Sequence, residues 1–245
     1  TDMAQLSKLS EKPSLAPNTV AYNIVIDAYA SRGRAREADD VLRGMIASYL
    51  SDPEGAVYIK PSIRTFNAVL HGWSKSDDDD APEQCERVLS DMLELASSTG
   101  EEEFVPDIVT YTAVMDSYAS HGLAEEAEMV LRNVLKNPTV DADARPFTCV
   151  INAWTKSGAE DAPEHCRRLL NELQSLYRSK GNMEVPPDTV AYTVVISAYA
   201  RRGRAKEAEA ILKEMLSNEI SPNTYTFNAV MDAWSKSGAE DAPEQ

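Results

Sequence analysis

What most constrains the fold of this chain is that it says nearly the same thing several times. TVAYNIVIDAYASRGRAREADDVL begins at Thr19 and returns as TVAYTVVISAYARRGRAKEAEAIL at Thr189, with IVTYTAVMDSYASHGLAEEAEMVL between them from Ile108. A second kind of repeat alternates with the first: IRTFNAVLHGWSKS from Ile63, ARPFTCVINAWTKSG from Ala144 and TYTFNAVMDAWSKSG from Thr224. Six repeats of two alternating kinds predict a solenoid, in which each repeat contacts its neighbours and function resides in side chains that recur along one face. The predicted repeats are 19–62, 63–107, 108–143, 144–188, 189–223 and a truncated sixth at 224–245, with 1–18 as the tail of a preceding repeat.

Each repeat reads as two helices, so the fold class is all-α, a tandem array of helix-turn-helix repeats. In the first helix apolar residues recur at helical spacing, and Pro-Asn or Pro-Asp often leads in, a breaker followed by an N-cap candidate. Gly33, Gly122, Gly158, Gly203 and Gly238 stand where that helix should end in a left-handed cap. In the second kind of repeat, Asp80–Glu83, Asp161–Glu164 and Asp241–Glu244 (DAPE each time) are expected to open the second helix with a capping box and Pro in its first turn. The longer repeats carry acidic insertions such as 51–55 and 100–103, placed on the outer rim of the array.

The chain is 43% apolar and 26% charged, as a soluble folded protein is, and no apolar run approaches a membrane span. It starts at Thr1 and stops inside its sixth repeat, and is read as a fragment. Cys85, Cys149 and Cys166 are odd in number and lack CxxC spacing, which suits reduced, packed thiols. His71, His121 and His165 fall in different repeats without nucleophile-base or zinc-ligand spacing, so an enzyme, a metal and a cofactor are not expected. The net charge of −16 argues against indiscriminate nucleic-acid binding but leaves room for a local basic track.

Aromatic residues mark the packing face. The fourth residue of every repeat is aromatic (Tyr22, Phe66, Tyr111, Phe147, Tyr192, Phe227), and so is the eleventh (Tyr29, Trp73, Tyr118, Trp154, Tyr199, Trp234). With Ile26, Leu70, Met115, Ile151, Ile196 and Met231 between them, they form a helical stripe that is read as core. The fifth residue stands apart. It is Asn23, Asn67, Thr112, Thr148, Thr193 or Asn228, a short polar group in mid-helix, where both residue types are mediocre formers. Such a series has the groups to read a base edge, or to make a repeated helix-to-helix hydrogen bond. The residue before each next repeat is equally restricted: Asn18, Ser62, Asp107, Asp143, Asp188 and Asn223, all good N-caps. Lys75, Lys156, Arg201 and Lys236 form a third series near the end of the first helix, open to phosphate contact or to a solvated helix-end role.

With its TYN/AYN-type openings, Y-A-x-x-G turn, EA-x-x-(V/I)-L second helix and Pro-Asp/Asn endings, the chain resembles the pentatricopeptide repeat family of the plain P type, from Pro17 to its end. The resemblance implies a right-handed superhelix that binds single-stranded RNA, one base per repeat, read by the fifth residue and the residue before the next repeat. It implies C or U for Asn23 with Ser62, U for Asn67 with Asp107, G for Thr112 with Asp143 and for Thr148 with Asp188, and A for Thr193 with Asn223. Asn228 has no such partner within the chain. The implied target is 5′-(C/U)UGGA-3′, with bases sandwiched by the second residues, Val20, Arg64, Val109, Arg145, Val190 and Tyr225. Mitochondrion or plastid is the implied location, with RNA processing, stability or translation as the task. The alternative is a helical scaffold that binds a protein partner through an acidic outer face. A neutral or basic first-helix face beneath an acidic rim would favour RNA, and an acidic groove would favour a basic protein.

Overall fold

The computed structural model describes residues 18–51, 59–137, 140, 143–180 and 187–238. Residues 1–17, the expected acidic insertion from Asp52 and the expected capping box from Asp241 lie outside these. The described residues form eleven α-helices: α1 (Thr19–Ala30), α2 (Ala35–Ser51), α3 (Ile63–Ser74), α4 (Ala81–Thr99), α5 (Ile108–Ser120), α6 (Ala124–Lys136), α7 (Ala144–Ser157), α8 (Ala162–Lys180), α9 (Thr189–Arg201), α10 (Ala205–Ser217) and α11 (Thr224–Ser237). One 3-10 turn at Glu102–Phe104 interrupts the series, and there is no strand among them.

The chain divides into two compact units, one up to Ser117 and one from Tyr118 on. In the first, α1 packs on its hairpin partner α2 and on the next first helix α3, while α3 packs on α2 and α4. In the second, α7 packs on α6, α8 and α9, and α9 on α8, α10 and α11. The first helices α1, α3, α7, α9 and α11 are therefore each flanked by at least one second helix and by another first helix, the nearest-neighbour packing of an α-solenoid.

The seam of the core is the aromatic stripe. Phe66, Phe147, Tyr192, Trp73, Tyr118, Trp154 and Tyr199 are buried, as are Ile26, Leu70, Met115, Ile151 and Ile196. The sixth repeat departs from the expectation: Phe227 and Met231 of α11 are about half exposed. The second helix expected to cover that face lies beyond the described residues.

Hairpin turns close as the glycines predict. Gly33, Gly122, Gly158, Gly203 and Gly238 all have φ between 60° and 75°, the left-handed region in which a Cβ is strained. At Gly203 space is restricted as well, since an added Cβ would meet the Lys236 carbonyl oxygen at 3.1 Å.

The expected capping boxes are elsewhere. Asp80 precedes α4 without a side-chain cap bond, and its carboxylate instead accepts from Arg36 Nη2 at 2.7 Å. Asp161 turns to His165 Nε2 at 3.2 Å, and Glu164 pairs with Arg204. Arginines of neighbouring hairpins take Asp80 and Glu164, where a charged guanidinium outweighs a single backbone amide, and Asp161 is taken by a histidine of its own helix. Reciprocal boxes form at first helices, between Ser62 and Thr65 and between Asn223 and Thr226.

Candidate functional site

The second and fifth residues of a repeat lie one turn apart on one face of the first helix. Val20, Val109, Val190 and Tyr225 are between 44% and 77% exposed, an apolar series left open at the same register of four helices. The fifth residue is set deeper. Asn23, Asn67, Thr112, Thr148 and Thr193 are half-buried, whereas Asn228 is exposed.

In three repeats the fifth residue is held by the third residue of the next first helix. Thr65 Oγ1 donates to Asn23 Oδ1 at 2.8 Å and accepts from the backbone N–H of Ser62 at 3.0 Å. Ser62 Oγ lies 3.1 Å from Thr65 Oγ1 and accepts from the Thr65 N–H at 3.4 Å. One repeat on, Thr110 Oγ1 donates to Asn67 Oδ1 at 2.8 Å and accepts from the Asp107 N–H at 3.2 Å. Asp107 Oδ1 accepts from the Thr110 N–H at 2.8 Å and from Asn67 Nδ2 at 3.3 Å, and at 2.9 Å it is a second acceptor for the Thr110 hydroxyl. In the second compact unit Thr193 Oγ1 and Thr226 Oγ1 are 2.7 Å apart. There Asn223 Oδ1 accepts from the Thr226 N–H at 3.0 Å, and the single Thr226 hydroxyl proton is shared between Thr193 Oγ1 and Asn223 Oδ1, the latter at 3.1 Å. Thr65, Thr110 and Thr226 are fully buried. Each thus joins a fifth residue to the cap that follows it. The sequence holds the signal, since all three are Thr at one register, but read alone each is an ordinary first-turn residue.

The fifth-position threonines are bound to their own helices. Thr112, Thr148 and Thr193 donate to the carbonyls of Ile108, Ala144 and Thr189, at 2.6, 3.1 and 2.7 Å. Their single proton is spent, so they offer lone pairs only. The caps are in place too: Asp188 Oδ1 accepts from the Ala191 N–H at 2.9 Å and Asp143 Oδ1 from the Arg145 N–H at 2.9 Å. Thr112 belongs to the first compact unit and Asp143 to the second. Arg145, expected to sandwich a base, also directs Nε to Asp143 Oδ2 at 2.6 Å, and Arg64 Nη2 lies 3.5 Å from Asp27 Oδ2. Lys75, Lys156 and Arg201 are exposed at helix ends, whereas Lys236 Nζ is bonded to Asp232 at 2.6 Å.

Charge is layered. The six first helices carry the cations Arg64, Arg145, Lys156, Arg201 and Lys236 against only Asp27, Asp116 and Asp232. Carboxylates concentrate on the second helices, where many pair with guanidinium groups from the next hairpin. Asp39, buried on α2, accepts from Arg43 at 2.9 Å and from Arg87 of α4 at 2.5 Å. Glu128 on α6 accepts from Arg168 of α8 at 2.8 Å, from Arg132 at 3.0 Å and from Trp154 Nε1 at 3.0 Å. Burial alone would raise the Glu128 carboxyl, but those hydrogen bonds hold it below the ordinary glutamate range. Among the described residues no cluster of His, Cys, Asp and Glu is arranged to hold a metal ion, and no helix is long and apolar enough to cross a membrane.

The PPR repeat family matches residues 187–236, and the PPR repeat matches residues 20–50 and 109–137. A pentatricopeptide repeat-containing protein of Arabidopsis thaliana is 24% identical over 200 residues, which are 81% of this chain and 30% of that protein. A second from the same plant, named chloroplastic, is 27% identical over 210 residues, 84% of this chain and 23% of that protein. Another, named mitochondrial, is 28% identical over 104 residues, 42% of this chain and 22% of the relative. The crystal structure of the pentatricopeptide repeat protein PPR10 from maize matches with a TM-score of 0.63 at 22% identity, over 96% of this chain and 30% of that one. That likeness shows the α-solenoid fold. The chain spans about a third or less of the length of the first two relatives.

Proposed function

We propose that this chain, which belongs to the pentatricopeptide repeat family, binds single-stranded RNA in a sequence-dependent way, one base per repeat. The observation that carries the reading is that in three repeats one threonine joins a half-buried fifth residue to the next helix cap, beside a second residue that is an exposed Val in two of them and Arg64 in the third. A peptide groove has no need of that arrangement, whereas a base needs both a stacking surface and a polar edge reader. The charge layering supports the same reading, since the first helices are the cationic layer of an acidic chain. Several relatives are named chloroplastic or mitochondrial, which supports an organellar RNA as the partner.

Donor and acceptor inventories support the base string 5′-(C/U)UGGA-3′ when the fifth residue faces ring position 2 and the cap faces the adjacent ring nitrogen. Asn23 Nδ2 presents a donor, which suits O2 of either pyrimidine, while the Ser62 hydroxyl lies 3.1 Å from Thr65 Oγ1, whose own proton is on Asn23 Oδ1. Asn67 Nδ2 and Asp107 Oδ2 present a donor and an acceptor, which suit O2 and N3–H of uracil. Thr148 with Asp188 presents acceptors only, which suit N2–H and N1–H of guanine, and Thr112 with Asp143 carries the same residue types. Asn223 offers Nδ2 to N1 of adenine, while the proton-spent Thr193 faces its apolar C2–H. Val20, Val109 and Val190 are the sandwiching surfaces, and Lys75, Lys156 and Arg201 the phosphate contacts.

Fluorescence anisotropy tests the reading with a labelled RNA containing CUGGA against the same bases shuffled, at low and near-physiological salt. Preference for CUGGA that persists as salt rises is expected. Equal and salt-labile binding of both RNAs overturns the base assignment, and no binding at either salt moves the function to a protein partner.

A further inference from the structure

We infer that the third-position threonines, Thr65 and Thr110, determine the base preference of the repeat before them by fixing which end of the Asn23 or Asn67 amide faces outward. This rests on the base-reading role proposed above. An asparagine side chain is nearly isosteric about its terminal bond, so a reader that can rotate offers a donor or an acceptor and discriminates poorly. Thr110 and Asp107 together remove that freedom. Thr110 Oγ1 accepts from the Asp107 N–H at 3.2 Å, and its single proton has two acceptors within reach, Asn67 Oδ1 at 2.8 Å and Asp107 Oδ1 at 2.9 Å. The opposite rotamer would place Asn67 Oδ1 against Asp107 Oδ1, where Nδ2 now donates at 3.3 Å, and two acceptors repel. Thr65 repeats the arrangement on Asn23 at 2.8 Å.

The pattern of occurrence follows the chemistry. Among the five reader pairs complete in the chain, three contain an amide reader: Asn23, Asn67 and Asn223. Each of these has a third-position threonine hydroxyl within hydrogen-bond distance of its amide oxygen, although at Asn223 the Thr226 proton is shared with Thr193 Oγ1. The other two pairs consist of Thr and Asp, which have no amide to flip, and there the third position is Pro146 or Ala191, without a hydroxyl. The hydroxyl is present where orientation has to be set and absent where it has nothing to set. Full burial keeps water from replacing it.

The test measures the affinity of the full chain for four RNAs that differ only at the second base of CUGGA. Wild type is expected to favour U, and Thr110→Val to reduce the ratio of U over C by about fivefold, the loss of roughly one hydrogen bond. Thr110→Ser is expected to restore it. Thr65→Val should act on the first base and leave the second unchanged. A purely structural role would weaken all four RNAs alike and leave the ratio intact, and that outcome overturns the inference while RNA reading stands. Equal affinity of wild type for all four RNAs removes the base-reading function and this inference with it. The free protein supplies an independent readout, the side-chain amide resonances of Asn67. Faster exchange with solvent is expected in Thr110→Val, and unchanged resonances would overturn the proposal.

Discussion

A reader residue is defined by the hydrogen-bonding group it has left after the protein has taken its share. Thr148 gives its proton to Ala144 O at 3.1 Å, so beside a base it can only accept, and Asp188 likewise. A pair of acceptors suits the two adjacent donors of guanine, N1–H and the 2-amino group. Inosine lacks the 2-amino group and keeps N1–H. Replacing the fourth base of CUGGA by inosine should therefore weaken binding about fivefold, as expected for one neutral hydrogen bond. Competition anisotropy checks this, and equal affinity for inosine and guanine would assign the fifth residue to another edge. At the same scale, burial pushes the thiols of Cys85 and Cys166 up to about 12. The thiolate is the reactive form, so at pH 8 both should be silent to a thiol reagent in the folded chain and react on addition of denaturant. Prompt modification of either without denaturant would show that its side of the core opens readily.

Helices are where the repeat pattern was most legible, and turns where it was least evenly so. The aromatic stripe and the Gly turns placed the first helices correctly, because burial at helical spacing and a left-handed φ leave few residue choices. DAPE misled for a physical reason. A capping box is a local contest between one carboxylate and one amide, and Arg36 and Arg204 from the preceding and following repeats enter that contest from outside. The third-position threonine was missed for the same reason, since its partner Asn23 or Asn67 is more than 40 residues away in sequence. Turn energetics give a graded prediction. Gly33 has φ 71° and open space around it, whereas Gly203 has φ 64° and the Lys236 carbonyl in the path of a Cβ. Gly33→Ala should cost about 1 kcal/mol, the strain of a left-handed alanine. Gly203→Ala should cost more, roughly 2–3 kcal/mol, because α11 must shift to admit the methyl. Thermal denaturation of the two variants side by side orders them, and equal losses would mean the hairpin yields there without resistance.

For the molecule as a whole, a chain with a net charge of −16 is proposed to hold a polyanion, and its salt dependence should reveal how. Second-helix carboxylates such as Asp39 and Glu128 are joined to arginines of the next hairpin, so part of the acidic charge is neutralised within the protein. The first helices present Lys156 and Arg201, with Lys75 at the end of α3, as local cations. Three phosphate contacts on a single strand predict a slope of log K against log salt of about −2. This is shallow beside that of a protein that binds by charge alone. At about 0.1 M salt the Debye length is about 10 Å, so the strand feels those cations and little of the distant carboxylates. At about 0.01 M it reaches about 30 Å, the repulsion of the whole chain comes into range, and the plot should flatten there. Lys156→Ala should reduce the slope by about 0.7 and weaken every RNA alike, leaving the preference for CUGGA over its shuffled form unchanged, because a phosphate contact carries no sequence information. Anisotropy titrations of wild type and Lys156→Ala across that salt range decide the matter. An unchanged slope would remove Lys156 from the phosphate track. A changed base preference would make it a reader.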